Sequence, residues 1–392
     1  MELNLVADRT LKGRIYPAFA THEGRPYTQS WREFEQHWPH TVPLRLQEYC
    51  DHHGVKINIH SINNFPAGSY YPIGLGFFDF SIDYFDLLPA PVFSAVFGGE
   101  LKILFYYHEG DNPFRIKERL DVLASIYKLD SNCYKFISAN TAARSIPGFV
   151  YFNDFELWYW QRNEHTPAMN IHAEPRERDF TVLNRLHKTW RATAMADMHR
   201  RGILENSYWS YCETGAIVDE ENPIQIDAFE NLRKDTDQFL AGAPYISDEL
   251  SMADRNNHSI QEPKYFANAY CNIVMETHFD ADGCYGTFLT EKTFKPIKHG
   301  QLFFIAGPAG SLQVLRDAGY RTFDDILDNR YDDNVGATQR WDLLCRAIAD
   351  AKPRLPELFE RARADIEHNQ RLFVAHKTDR LNILLEHINE SY

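Results

Sequence analysis

Asn272-Ile-Val-Met-Glu276, read together with Phe288-Leu-Thr290-Glu291-Lys292-Thr293-Phe-Lys295-Pro and the apolar run Leu302 to Ile305, constrains this chain more than any other stretch. It reads as a buried strand ending in a carboxylate, a loop holding Gly283 and Gly286, a helix opening on Thr-Glu-Lys, and a second buried strand. Strands that are apolar throughout and joined through a helix belong to a parallel sheet covered on both faces. Open α/β sheets of this kind bind ligands at the carboxyl ends of their strands. Thr290 suits a helix cap, and the first-turn amides beside Lys292 then suit an anion such as a diphosphate. Glu291 or Glu276 can accept hydrogen bonds from a ribose diol, with Glu291 preferred for standing next to Lys292. An ordinary capped helix start with a solvated lysine is the competing reading of the same residues.

The first half carries a similar rhythm. Leu101 to Tyr107 is a β-favouring run ending at His108-Glu109-Gly110-Asp111, a helix follows from about Pro113 to Lys128, and Tyr134 to Ser138 is a strand with Asn140 beyond its end. Strand, polar loop, helix, strand is the βαβ pattern of a doubly wound sheet. Later, Arg178 to Asn184 reads as a strand, Thr189 to Arg201 as a basic helix closed by Gly202, and Tyr208 to Tyr211 as a short strand. At 392 residues the chain exceeds one typical core. The expected division is an aromatic, proline-punctuated extension over 1–43, a first Rossmann-like domain over 44–165, a second over 175–350, and closing helices over 351–392 that can cross back to the first domain. Pro353 and Pro356 mark the break where that crossing can begin.

Composition narrows the function classes. A hydrophobic share of 44% supports packed cores. No apolar run reaches spanning length and the start Met1-Glu-Leu-Asn lacks a signal core, so the expectation is an unexported cytoplasmic chain without membrane partners. The six cysteines form no C-x-x-C pair, consistent with reduced thiols. A formal net charge of −14 opposes nonspecific binding to nucleic acid. His37-Trp-Pro-His40 and His52-His53 lack the partners of a zinc site. Asp280-Ala-Asp282 has the form of a metal-binding Asp-x-Asp but sits in a loop, and no metal is expected there.

Two further constellations carry chemistry. Around Asn184, the cations Arg185, Lys188 and Arg191 recur every third residue and approximate one face near a helix N-terminus, an arrangement that opposes the macrodipole unless an anion compensates. A diphosphate compensates; so do surface acids, as on a solvated basic face. Glu109 stands at a strand's carboxyl end beside the turn former Gly110, where a general base taking a proton from a hydroxyl is wanted. Asp111 and His108 are its rivals, and a loop acid capping the next helix is the bland alternative. Aromatic pairs at 65–85 offer either a stacking platform or core.

Glu276, Thr290-Glu291-Lys292, Gly300 and the strand Leu302 to Ile305 resemble the donor-binding segment of the α1,3-fucosyltransferase-like glycosyltransferases. Residues 268–335 resemble still more the glycosyltransferase-like proteins of bacteriophages and bacteria, which share Thr-Glu-Lys-Thr-Phe-Lys-Pro, a Gly-Pro-x-Gly turn (Gly307 to Gly310 here) and a Leu-Arg-x-x-Gly-Tyr helix end (Leu315 to Tyr320). Met275-Glu276-Thr277-His278 stands where fucosyltransferases carry Phe-Glu-Asn-Ser. The resemblance implies a GT-B fold, two Rossmann-like domains facing across a cleft. It implies a metal-independent, inverting transferase whose co-substrate is a UDP- or GDP-linked sugar and which needs no further cofactor. Glu109 or Asp111 would then act on the acceptor, while Asn184, Arg185, Lys188, Arg191, Glu276, Thr290, Glu291, Lys292 and Lys295 would hold the donor. The acceptor would be a glycan, a protein or a hydroxymethylated base of phage DNA. A noncatalytic nucleotide-sugar or glycan binder is the competing class.

Overall fold

The structure, a computed structural model, describes residues 2–6, 21–22, 25–26, 50, 54–75, 78–107, 109–163, 171, 176–184, 188–211, 233–246, 263–279, 285–333, 336–375 and 377–390. The chain divides into two compact units, Met1–Asp154 with His376–Tyr392, and Phe155–Ala375.

The first unit is built on six parallel strands: β1 (Glu2–Val6), β4 (Lys56–His60), β5 (Tyr70–Leu75), β6 (Lys102–Tyr107), β7 (Tyr134–Ser138) and β8 (Phe149–Tyr151). Their order is β4-β1-β5-β6-β7-β8, while β2 (Thr21–His22) and β3 (Arg25–Pro26) pair separately. The chain steps outward from β1 to β4 and then back past β1 to β5, so the strand order reverses between β1 and β5. The crossover helix Pro113–Ile126 starts where the Asn112 side chain accepts from the amides of Phe114 and Arg115, with Pro113 at its first position. It lays Ile116, Leu120 and Leu123 on the sheet.

Two expectations change here. Residues 1–43 were separated as an extension, yet Glu2–Val6 lies within the sheet between β4 and β5, with Leu3, Leu5 and Val6 fully buried. Five residues are too few to show a period, and only the partner strands reveal that this run is central. The aromatics Tyr70 and Tyr71, considered for a stacking platform, are buried in β5, and Tyr84 and Phe85 are core as well. Pro72 and Gly74 conceal that strand from a propensity reading.

The second unit has four parallel strands, β9 (Arg178–Asn184), β10 (Tyr208–Tyr211), β11 (Ala269–Met275) and β12 (Leu302–Ala306), in the order β10-β9-β11-β12. The order again reverses, between β9 and β11. The helices Thr189–Arg200 and Glu291–His299 connect β9 to β10 and β11 to β12. Both units are therefore α/β, Rossmann-like, with helices covering parallel sheets. Three of the closing helices, Ala337–Ala351, Leu355–Arg361 and Arg363–Ala375, pack in this second unit. The last, Lys377–Asn389, belongs to the first: Tyr70 Oη donates to the Ile388 carbonyl at 2.8 Å, and the Lys135 ammonium donates to the carbonyls of His387 and Ile388 at the helix end. Among the described residues no helix is long and apolar enough to cross a membrane.

Candidate functional site

At the reversal between β9 and β11 the second unit gathers most of the residues singled out above. β11 ends at Met275, and Glu276, the next residue, is wholly buried. Its amide continues the ladder to the Ala306 carbonyl at 2.9 Å. One carboxylate oxygen accepts from the Thr290 amide at 3.1 Å and the Thr293 hydroxyl at 2.6 Å. The other accepts from the Thr277 amide at 3.2 Å and the Thr290 hydroxyl at 2.8 Å. Thr290 and Thr293 are three apart at the start of the helix Glu291–His299, so they present their hydroxyls to the same partner. A buried carboxylate is tolerated where donors saturate it.

The Glu276 carbonyl is held as firmly. Arg191, itself 4% exposed, donates to it from Nε at 3.1 Å and from a terminal nitrogen at 2.6 Å. Beside it, Trp190 Nε1 donates to the Thr277 carbonyl at 3.4 Å, and its ring stacks on Phe279 with centroids 5.6 Å apart. Glu276 thus staples three elements together: the end of β11, the first turn of Glu291–His299 and the first turn of Thr189–Arg200. Glu276 and Arg191 are therefore buried parts of the frame, not groups facing solvent.

Lys292 lies nearer the surface, its side chain 27% exposed. Its ammonium reaches the Thr290 hydroxyl at 3.0 Å and the Glu291 carboxylate at 3.4 Å. Thr290 caps the helix by accepting from the Lys292 amide at 3.4 Å, so its one hydroxyl donates once and accepts twice, the full capacity of that group. Glu291 is buried and Lys295 half-buried. Asn184 closes β9, buried, with its amide 3.2 Å from Met195 Sδ. Lys188 is the N-cap of Thr189–Arg200 in extended backbone, φ −141° and ψ 135°. Lys188 and Arg191 therefore do not share a helical face, because the helix begins one residue after Lys188. Arg185 lies outside the described residues, as do His187, the pair Asp280 and Asp282, and Gly283.

In the first unit, Glu109 and Asp111 follow β6 directly, both half-buried. Asn112 rather than either acid caps the next helix. The Tyr107 hydroxyl donates to Asp111; burial, then the charges of Asp111 and Glu109, raise its pKa well above the ordinary phenol value, so it stays a donor. The Asn140 amide donates to the Gly110 carbonyl at 2.9 Å and bridges this loop to the end of β7. His108 lies outside the described residues.

Sequence reasoning missed Thr293, Trp190 and Asn140 as partners. A threonine three residues after a capping threonine was the available sign of a bound carboxylate. Nothing in spacing pointed Trp190 at Thr277, 87 residues away. No protein-family model matches this chain, and no curated protein matches it significantly.

Proposed function

We propose that this chain is a glycosyltransferase of the GT-B type, moving a sugar from a nucleotide-diphosphate donor to an acceptor hydroxyl with inversion and without a metal ion. The observation that carries this reading is the Glu276 staple at the β9/β11 reversal. It holds the N-terminus of the helix Glu291–His299 rigidly at a strand-end crevice with Lys292 beside it. A terminus fixed in this way holds its cation in place for a diphosphate without reorganisation when charge develops.

In this reading Lys292, Lys188 and Arg185 neutralise the diphosphate, and Glu291 and Lys295 flank the ribose and phosphate. Glu276, Arg191, Thr290 and Asn184 position them. Glu109 takes the acceptor hydroxyl proton while that oxygen bonds to the anomeric carbon. The anomeric carbon–oxygen bond breaks as this happens, and its electron pair leaves with the diphosphate.

A thermal-shift screen of nucleotide-sugars names the donor, since a ligand selecting the folded state raises its melting temperature. Calorimetry then tests the site: Lys292→Ala should weaken a nucleoside diphosphate far more than the nucleoside, and equal losses would remove Lys292 from phosphate binding. Glu109→Gln should keep donor affinity while turnover falls by about two or more powers of ten. Unchanged turnover would exclude Glu109 as the base, and a donor bound with no transfer in any variant would favour a noncatalytic binder.

A further inference from the structure

Parallel strands are ordinarily covered on both faces. In the first unit the helices Ala90–Phe97 and Pro113–Ile126 cover one face, where Val92 and Ile116 share a core with Val6, Tyr71 and Phe105. Over β1 and β4 that same face turns polar. The two strands pair in register, Glu2 with Lys56, Asn4 with Asn58 and Val6 with His60. Because side chains alternate, Glu2, Asn4, Lys56, Asn58 and His60 lie on the face of Val6, while Leu3, Leu5 and Ile57 go to the other.

These five side chains form one connected row. Asn58 Nδ2 donates to Glu2 Oε2 at 2.8 Å and to Asn4 Oδ1 at 3.0 Å, which uses both of its protons. The Glu2 carboxylate only accepts, so it fixes the Asn58 amide, and Asn58 in turn fixes Asn4. Asn4 Oδ1 accepts a second bond from His60 Nε2 at 3.0 Å, so that nitrogen carries the proton. Lys56 closes the row on Glu2 at 2.7 Å. Asn58 Oδ1, Asn4 Nδ2 and His60 Nδ1 are left over. Among the described residues no protein group bonds to them, their side chains are half-buried, and none of the three atoms is shut off from solvent.

A face that only meets water is usually built from mobile charged side chains. Here neutral planar groups hold one another's rotamers, at spacings of about 5 Å across the strands and about 7 Å along them. Groups already ordered cost a ligand no further side-chain entropy. The row offers accessible acceptors and a donor side by side, and Glu2 and Lys56 cancel in charge. It therefore has no surplus of cations for a phosphate backbone. Its groups stand on the sheet face rather than along a main-chain edge, where an extended peptide would add as a strand. Hydroxyls, which donate and accept at one atom, match such a row.

We propose that the β1–β4 face binds a neutral glycan, whose hydroxyls donate to Asn58 Oδ1 and accept from Asn4 Nδ2 with His60 Nδ1 beside them. All six strands are parallel, so His60 stands at the same sheet edge as Glu109, three strands away, or about 14 Å. Within the transferase reading, on which this one step rests, the bound glycan is the acceptor, in place of a protein or a DNA base. The test presents the full chain to an array of neutral oligosaccharides, with a single-stranded DNA decamer and an unstructured decapeptide as competitors. At least one oligosaccharide should bind and shift the side-chain amide resonances of Asn4 and Asn58 in the wild type, a readout that no folding defect can imitate. Asn58→Ala and His60→Ala should each weaken that oligosaccharide about fivefold or more. No oligosaccharide bound, resonances unmoved by a bound one, or better capture of the DNA or the peptide would overturn the proposal. UDP should respond to Lys292→Ala and not to Asn58→Ala. A glycan bound here but never modified would remove the transferase reading and leave this site; a glycan modified with wild-type KM by both variants would do the reverse.

Discussion

Glu276 shows how far a single residue can be read before its surroundings are known. A carboxylate after an apolar strand looks available to a ligand, but here four protein donors saturate it. Glu276→Gln isolates that role. Whichever way the amide turns, its N–H group meets a pair of donors, one of them a backbone amide that cannot turn away. The expected loss is about 2 kcal/mol, measured as a lower urea midpoint with unchanged slope. Equal midpoints would mean that the staple carries no stability. His299 is a second residue-scale case. Burial first, then the charges of Lys298, Lys295 and Arg176, push its pKa down to about 3 from the ordinary imidazole value of 6.5. Between these values the unfolded chain binds a proton that the folded chain refuses, so its contribution is complete above pH 6.5 and lost as pH falls, at up to about 1.4 kcal/mol per pH unit. The stability difference between the wild type and His299→Gln should therefore change steadily as pH falls below 6.5 in equilibrium unfolding. That difference separates His299 from Asp332, which burial pushes up to about 6 and which acts with the opposite sign. A difference independent of pH would refute the buried neutral imidazole.

Elements whose pattern is locally complete were legible. β7, β9 and β10 fall where their β-branched and aromatic content places them, because such side chains suit a pleated, partly buried surface. The start of β11 was not: the strand begins at Ala269, and Phe266 just before it lies in the short helix Pro263–Ala267. An aromatic residue fits either element, and only its packing decides. The helix Glu291–His299 ends at Gly300 with φ 64°, where a side chain's first carbon would come within 2.3 Å of Ile171 Cγ2 and 2.9 Å of Gln370 Nε2. Both the left-handed backbone and the close neighbours require glycine. Gly300→Ala should lower the unfolding free energy by about 1–3 kcal/mol, the range for overpacking. Calorimetry with an unchanged melting temperature would show that Ile171 and Gln370 move aside freely.

At the scale of the whole molecule, both units reverse strand order at their second step, the place where open α/β sheets bind ligands. The first unit is completed from the far end of the chain. Leu381, Leu384, Leu385 and Ile388 of the last helix are at most 1% exposed. Each such side chain contributes roughly 1.5–3 kcal/mol by burial, and the Lys135 and Tyr70 bonds add to this. Removing residues 376–392 should abolish or strongly lower the melting transition of the first unit while the second, over Phe155–Ala375, still melts on its own. Two unaltered transitions would mean that the helix is dispensable.

By itself the sequence determined the α/β class, the strand–helix–strand unit around Thr290 and the capping of its helix, because periodicity, cap residues and turn formers act over a few neighbouring positions. Tertiary structure alone decided that Glu2–Val6 joins the sheet, that Tyr70 and Tyr71 are core, and that Glu276 and Arg191 hold each other's elements in place. Whether a polar group is spent or available depends on partners tens of residues away, and no local pattern records them.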